Sequence, residues 1–446
     1  MDAKLRASDR ASSRAAGKAA RERAPRSSHG AWKPAADRPA PLDTLARDDE
    51  GRLPFLLPLR YERMLLSPFN FLRGAAAIMA DDLRGTPDSG IRVQVCGDAH
   101  LGNFGCFATP ERNLVFDVND FDETTAGGAW EWDVKRLAAS IAVAGGHLNL
   151  RDADTEAAVA ATVRSYRRHM ADFANMHVLD VWYARLDEAE LAEAVRLAAA
   201  RDGARAFSAL VDTEGTPPRI RDRRPLVFRP ADEDEFIDGV RDALRLYRRS
   251  LPLERRALFD RFRFVDAAYK VVGVGSVGTR CAVALLAALG GDELLLQMKE
   301  ARASVYEPLV GGCGFDDDGE RVVVGQRLMQ AASDVFLGWA RADDGRTYYV
   351  RQLRDNKTGA DIERMTYREL AHYGSLCGWA LARAHAKASG EAAAVAGYLG
   401  RGATFDEAVG EFAAAYAAQN AADYASLVEA RKAGKLPVGA NAAGAL

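Results

Sequence analysis

Ile91–Cys96 reads as a strand that runs straight into Gly97-Asp98, with Asn103 five residues beyond the Asp. A strand ending in Gly-Asp must give way to a tight loop. The loop here, Gly97-Asp98-x-His100-x-x-Asn103, carries one carboxylate and one carboxamide. A second acidic strand end follows at Phe116–Glu123, bringing Asp117, Asp120 and Asp122. One carboxylate and one carboxamide on a tight loop, with more carboxylates on the next strand, is the equipment of magnesium-dependent phosphoryl transfer. Mg²⁺ commonly takes one or two carboxylates and completes its shell with substrate phosphates. Two like charges about 4 Å apart repel by roughly 4 kcal/mol at an effective dielectric near 20. If Asp98, Asp117, Asp120 and Asp122 converge, a cation or raised pKa values must relieve that repulsion. The alternative is a solvated acidic turn.

A chain of 446 residues can bury a large core and suggests two or three domains. A net charge of −3 gives no global pull toward nucleic acid or an anionic membrane. The five cysteines are scattered without a Cys-x-x-Cys pair, which argues for free thiols rather than a zinc site or disulfide framework. No apolar run is long enough to span a bilayer, Cys281–Leu289 being the nearest. No apolar segment follows the basic N-terminal residues, so a soluble, cytoplasmic protein is expected. Residues 1–45 are rich in Ala, Arg, Ser and Lys and are expected to form a disordered basic tail.

Periodicity predicts a helix over Phe69–Leu83, a hairpin joining Asn103–Phe107 to Leu114–Val118, and helices from Trp130 to about Leu210. Strands are expected at Phe264–Val272, Leu294–Lys299, Phe336–Ala340 and Thr347–Leu353, with helices at Glu320–Ala332 and Ile362–Lys432. Between the first two strands lies Gly273-x-Gly275-x-x-Gly278, with Ser276 inside it, a run whose backbone N–H groups can approach phosphates closely. The motif serves two architectures. In a dinucleotide-binding unit it joins a strand to a helix, with an acid about 20 residues later; Glu300 lies 22 residues past Gly278. In a kinase-like lobe the glycines cap a hairpin and a Lys on the following strand reaches the phosphates. Lys299 suits that role, and this second architecture uses all three segments in one mechanism.

Gly97-Asp98-x-His100-x-x-Asn103 resembles the catalytic loop of aminoglycoside and choline kinase-type phosphotransferases. Phe116–Asp122 is similar to their metal-binding strand end, and Trp132–Ala138 to the helix start after it. The order differs: those kinases place the Gly-rich loop and Lys first. The resemblance therefore implies an α+β, two-lobed, kinase-like fold that is circularly permuted. A small β-rich lobe over 263–358 would be inserted between large-lobe segments 46–262 and 359–446. From about residue 50 to 430 the layout also resembles an uncharacterised bacterial family, domain of unknown function 2252, which brings no known reaction.

The resemblance implies ATP and Mg²⁺ as cofactors and, as acceptor, a hydroxyl of a small molecule or protein. Asp98 would orient the acceptor proton. Asn103 and Asp120 would hold Mg²⁺, with Asp117 the competing ligand. Gly273, Gly275, Ser276 and Gly278 would cradle phosphates steadied by Lys299, whose expected carboxylate partner is Glu320, with Glu307 behind it. His100 is expected to support the loop backbone, Asp133 to fix the loop by hydrogen bonds, and Gln326, Arg327 and Gln330 to form an exposed helix face. Nucleotidyl transfer, a non-catalytic nucleotide-binding protein and an NAD(P)-binding oxidoreductase are the alternatives.

Overall fold

The computed structural model describes residues 10–199, 210–212, 218–312, 314–353 and 359–437. Alternating apolar residues build a six-stranded antiparallel sheet. Its order is Gly338–Arg341, Thr347–Gln352, Glu293–Ala301, Cys281–Ala288, Phe262–Lys270 and Val227–Phe228. Along Glu293–Ala301 the side chains divide by parity. Leu294, Leu296 and Met298 enter a core formed with Val240, Ala243, Leu244 and Tyr247 of the helix Glu233–Ser250. Those four sit at helical spacing on one face, and the helix carries three acids in its first turn and Arg248 and Arg249 in its last, complementing its dipole. The other parity, Leu295, Gln297 and Lys299, faces away from that core. Lys299 pairs in register with Cys281 on one side and Tyr349 on the other.

A larger core lies among the helices Trp130–His147, Asp152–Phe173, Tyr367–Ser389 and Thr404–Lys432, together with two short strand pairs. Arg92–Val95 pairs with Thr125–Ala129, and Phe104–Ala108 pairs with Leu114–Val118 as the predicted hairpin. Tyr367–Ser389 starts with a Thr366/Glu369 capping box and ends at Gly390 with φ 72°. The architecture is therefore mixed α+β. No helix among the described residues is long and apolar enough to cross a membrane, and Cys96, Cys106, Cys281 and Cys377 are buried free thiols.

Several expectations need correction. The predicted single helix Phe69–Leu83 is two, Pro68–Gly74 and Ala76–Leu83, broken at Ala75 with φ −118° and ψ 38°. The segment after Gly278 is the strand Cys281–Ala288, antiparallel to Phe262–Lys270, rather than the helix a dinucleotide-binding unit requires. Of the helices expected between 178 and 210, Val178–Tyr183 and Glu188–Leu197 are present and 200–209 lie outside the described residues.

The largest correction concerns the leader. Residues 10–45 are not a disordered tail: Arg10–Arg23 and Pro41–Asp49 are helices. The arginines that made this segment look solvated cap another helix. Arg21 donates to the carbonyls of Tyr398 at 2.8 Å and Gly397 at 2.6 Å, and Arg26 donates to that of Leu399 at 2.7 Å, at the C-terminus of Ala392–Leu399. Those carbonyls have no partner within their own helix, so cations there satisfy both the orphan acceptors and the dipole. Large apolar residues are not needed because the two helices cross at glycines: a Cβ on Gly17 would meet the Ala394 carbonyl, and one on Gly397 the Arg14 carbonyl. Gly17→Val is accordingly expected to cost about 1–3 kcal/mol and to open residues 10–30 to limited proteolysis, read by mass spectrometry of the cleavage products.

Candidate functional site

Gly97 opens the 97–103 loop at φ 85°, and a Cβ there would collide with the Glu123 carbonyl, so the position demands glycine. The buried Asp133 carboxylate accepts from Cys96 N at 2.8 Å, Gly97 N at 2.9 Å and His385 Nε2 at 3.0 Å. Tyr166 Oη, 2.9 Å from Nδ1, completes the support of His385. Leu101 N donates to Ser140 Oγ at 3.0 Å, and His100 Nδ1 accepts from Gly102 N at 3.1 Å. Burial drives the His100 pKa down to about 3, so this imidazole is a neutral brace for the loop.

This scaffold aims Asp98. Its Oδ1 accepts from Arg136 Nε at 2.8 Å and Nη2 at 2.7 Å, while Asn103 Nδ2 donates to the Asp98 carbonyl at 2.8 Å and to Oδ2 at 3.3 Å. Burial works to raise the Asp98 pKa, but Arg136, helped by Arg73, outweighs it and holds the carboxyl below its ordinary value. Asp98 is thus ionised and weakly basic, a group for orienting a hydroxyl. The side chain of Asn103, turned to Asp98 by its amide nitrogen, leaves Oδ1 as its oxygen for other partners.

Across the cleft, the ammonium of Lys299 contacts Asp122 Oδ2, from a strand 177 residues away in sequence. Asp122 also accepts from Tyr349 Oη at 2.8 Å and Ser276 Oγ at 3.1 Å. Burial opposes the Lys299 charge, yet Asp120 and Asp122 outweigh it and raise the pKa well above the ordinary value. Asp122, not Glu320, is therefore the partner of Lys299. The backbone N–H of Glu320 is capped by Asp317 at 3.1 Å, and neither its side chain nor that of Glu307 lines the cleft.

Asp117 also needs correction. It is fully buried, and its oxygens are spent on Arg383 Nη2 at 2.7 Å, Ala331 N at 2.6 Å and Val118 N at 2.9 Å. Strand alternation turns it inward toward the helix Tyr367–Ser389, away from any cation in the cleft. Asp120, just past the strand end, lines the cleft instead.

The cleft holds adjoining chambers. One of about 450 Å³ is lined by Asp98, His100, Asn103, Asp120 and Gly273–Ser276 among others; the next, about 590 Å³, adds Lys299 and shares Arg73, Asn103, Asp120, Gly273 and Ser276 with it. Seven expected residues, Asp98, Asn103, Asp120, Gly273, Gly275, Ser276 and Lys299, thus reach one cleft. Gly278 supports it from outside: at φ 93° its carbonyl accepts from Leu53 N at 2.7 Å. Arg52 pins the glycine loop by donating to the carbonyls of Gly275 at 2.9 Å and Val277 at 2.8 Å, and is itself held by Asp48 at 2.8 Å.

Sequence reasoning missed Arg73, which lines both chambers and whose Nε is buried without a hydrogen-bond partner among the described residues. Burial lowers its pKa, against the pull of Asp98, Glu363 and Asp120. Nothing local marks it, because Arg73 closes an apolar helix far from the motifs.

Glu123 faces the smaller chamber, where its Oε2 accepts from Val305 N at 2.7 Å. Burial raises its pKa from 4.5 to about 7 against the lowering effect of that N–H. A carboxyl with a raised folded pKa contributes stability fully below its unfolded value, and loses it as pH rises through the folded one. Melting temperature is therefore expected to fall between about pH 5 and 8, with a contribution of about 2–3 kcal/mol. Glu123→Gln, followed by calorimetry at both pH values, should flatten the profile.

No cluster of three or more His, Cys, Asp or Glu residues poised for a metal occurs among the described residues. One amide oxygen and one carboxylate, from Asn103 and Asp120, do not make a resident site such as zinc requires. They do fit Mg²⁺ carried in by a phosphate ligand, which uses few protein donors. Fold and site together define a mixed α+β protein with a cleft walled by a buried lysine and glycine loop on one side and a carboxylate–carboxamide loop on the other. The chain belongs to the family described as uncharacterized protein conserved in bacteria (DUF2252), which matches residues 52–430. No curated protein and no solved structure matches it.

Proposed function

We propose that the protein is an ATP- and Mg²⁺-dependent phosphotransferase with a permuted, two-lobed kinase-like arrangement. The observation that carries this reading is the meeting of Lys299 and Asp122 across the cleft, beside Asp120, Asn103 and Asp98. A hairpin turn of glycines followed by a lysine on the next strand matches what phosphate binding asks of a kinase-like lobe. Lys299 and Ser276 position the phosphates. Asn103 and Asp120 would hold Mg²⁺, and the ion would supply charge neutralisation for the phosphates. Asp98 Oδ2 orients the acceptor hydroxyl and takes its proton as the oxygen bonds the γ-phosphorus and ADP leaves. Arg73, between Asp98 and Asp120, supplies positive charge where the transferring group develops negative charge.

Thermal shift with Mg-ATP tests the cofactor. Saturation at 100 times Kd is worth about 2.7 kcal/mol, and stabilisation by NAD(P)H instead of Mg-ATP would sink the proposal. Label appearing in product from γ-³²P-ATP supports phosphoryl transfer, whereas label from α-³²P-ATP assigns nucleotidyl transfer.

A further inference from the structure

A third chamber, about 580 Å³, contains none of Asp98, Asn103, Asp120 or Lys299. It joins the Lys299 chamber through Asn119, Val272, Gly273, Gln297 and Arg351, but shares only Gly273 with the Asp98 chamber. The order along the cleft is therefore acceptor-orienting carboxylate, phosphate-facing groups, then this chamber.

Gln326 and Gln330 line it, and they are not the exposed helix face expected from sequence: they are 5% and 4% exposed. Their amide orientations are forced. The Val118 carbonyl can only accept, so Gln330 turns Nε2 to it at 2.7 Å, and Gln330 Oε1 then accepts Gln326 Nε2 at 2.8 Å. The relay ends in Gln326 Oε1, a buried acceptor with no partner among the described residues. Buried polar atoms are rarely left in that state, and each such exception calls for a ligand or water. The same chamber offers a donor in Arg351, whose Nε is bound to Gln297 Oε1 at 3.1 Å.

We propose that this chamber receives the base of the nucleotide, and that Gln326 Oε1 accepts an N–H from that base. The inference rests on the nucleotide reading above and adds a residue that reads the base from a helix side chain. A purine amino or ring N–H satisfies the relay's last acceptor, and ring nitrogens or carbonyls satisfy Arg351.

The test is calorimetric binding of Mg-ATP, Mg-GTP and the Mg complex of purine riboside 5′-triphosphate, whose base bears no N–H. Wild type is expected to prefer ATP or GTP over purine riboside triphosphate by about tenfold, the loss that follows an unpaired buried acceptor. Gln326→Leu should shrink that preference to under about twofold. Using the ratio within each variant separates base recognition from any loss of fold. Equal affinities in wild type, or an unchanged ratio in Gln326→Leu, overturns base reading by Gln326 and leaves nucleotide binding standing. Absence of binding by all three compounds overturns both.

Discussion

Asp98→Asn is expected to lower phosphoryl transfer by about 10²–10⁴-fold, the range for loss of a positioned proton acceptor, while the stabilisation by Mg-ATP persists. The substitution keeps size and the hydrogen bond from Asn103 Nδ2 to the backbone carbonyl of residue 98 at 2.8 Å, but it removes the charge that faces Arg136 at 2.7 Å and leaves one side-chain acceptor where there were two. Arg136 is itself fully buried and also donates to the Leu72 carbonyl at 2.7 Å, so it retains one partner. Lys299→Ala should behave differently, weakening Mg-ATP binding as well as turnover, because the ammonium faces the phosphate chamber and Asp122. The low Asp98 pKa also predicts that activity holds level through neutral pH and is lost in acid, as the carboxylate takes up a proton below the ordinary carboxyl range. Parallel initial rates and thermal shifts on the two variants read all of this. If Asp98→Asn turns over normally while Lys299→Ala does not, Asp98 is not the proton acceptor.

What the sequence discloses divides along physical lines. The loop 97–103, the hairpin after it and the strand bearing Lys299 are local: period-two alternation and glycine punctuation specify them without help from the rest of the chain. Seven of the expected residues reach the cleft because they sit at the ends of such elements. Pairings between distant segments were not legible. Glu320 was a reasonable partner for Lys299 on charge and helix position, but which carboxylate meets an ammonium is decided by packing 177 residues apart in sequence. Asp122 carried a usable signal all the same, lying two residues past Asp120 in the same acidic segment after the strand Leu114–Val118. The leader failed for another reason. Composition reports whether a segment can bury its own apolar surface, and Arg10–Arg23 instead binds through backbone carbonyls of Ala392–Leu399 and a glycine crossing. Gln326 and Gln330 resembled a solvated face because helical spacing gives a direction without saying what lies there.

Asp117 offers the second large effect, and it separates structure from catalysis. Asp117 and Arg383 are both fully buried, and together they hold three elements: the strand Leu114–Val118, the helix Tyr367–Ser389, and the end of Asp318–Met329, where Arg383 Nη2 donates to the Met329 carbonyl at 2.7 Å. Removing one partner of a buried pair leaves an uncompensated charge, so Asp117→Ala and Arg383→Met are each expected to lose about 3–5 kcal/mol. Arg383 already has Nε and Nη1 buried without partners among the described residues, so the pair is imperfectly satisfied even intact. The double variant Asp117→Leu/Arg383→Met, which removes both charges and returns apolar volume, should therefore recover part of the loss and fall well short of the sum of the two. Urea midpoints at constant slope measure it. The magnesium reading of Asp117 makes the opposite forecast. It expects Asp117→Asn to leave the midpoint near wild type and raise the Mg²⁺ concentration needed for half-maximal ATP stabilisation; a fully buried carboxylate already committed to Arg383, Ala331 and Val118 should instead shift the midpoint and leave the Mg²⁺ requirement unchanged.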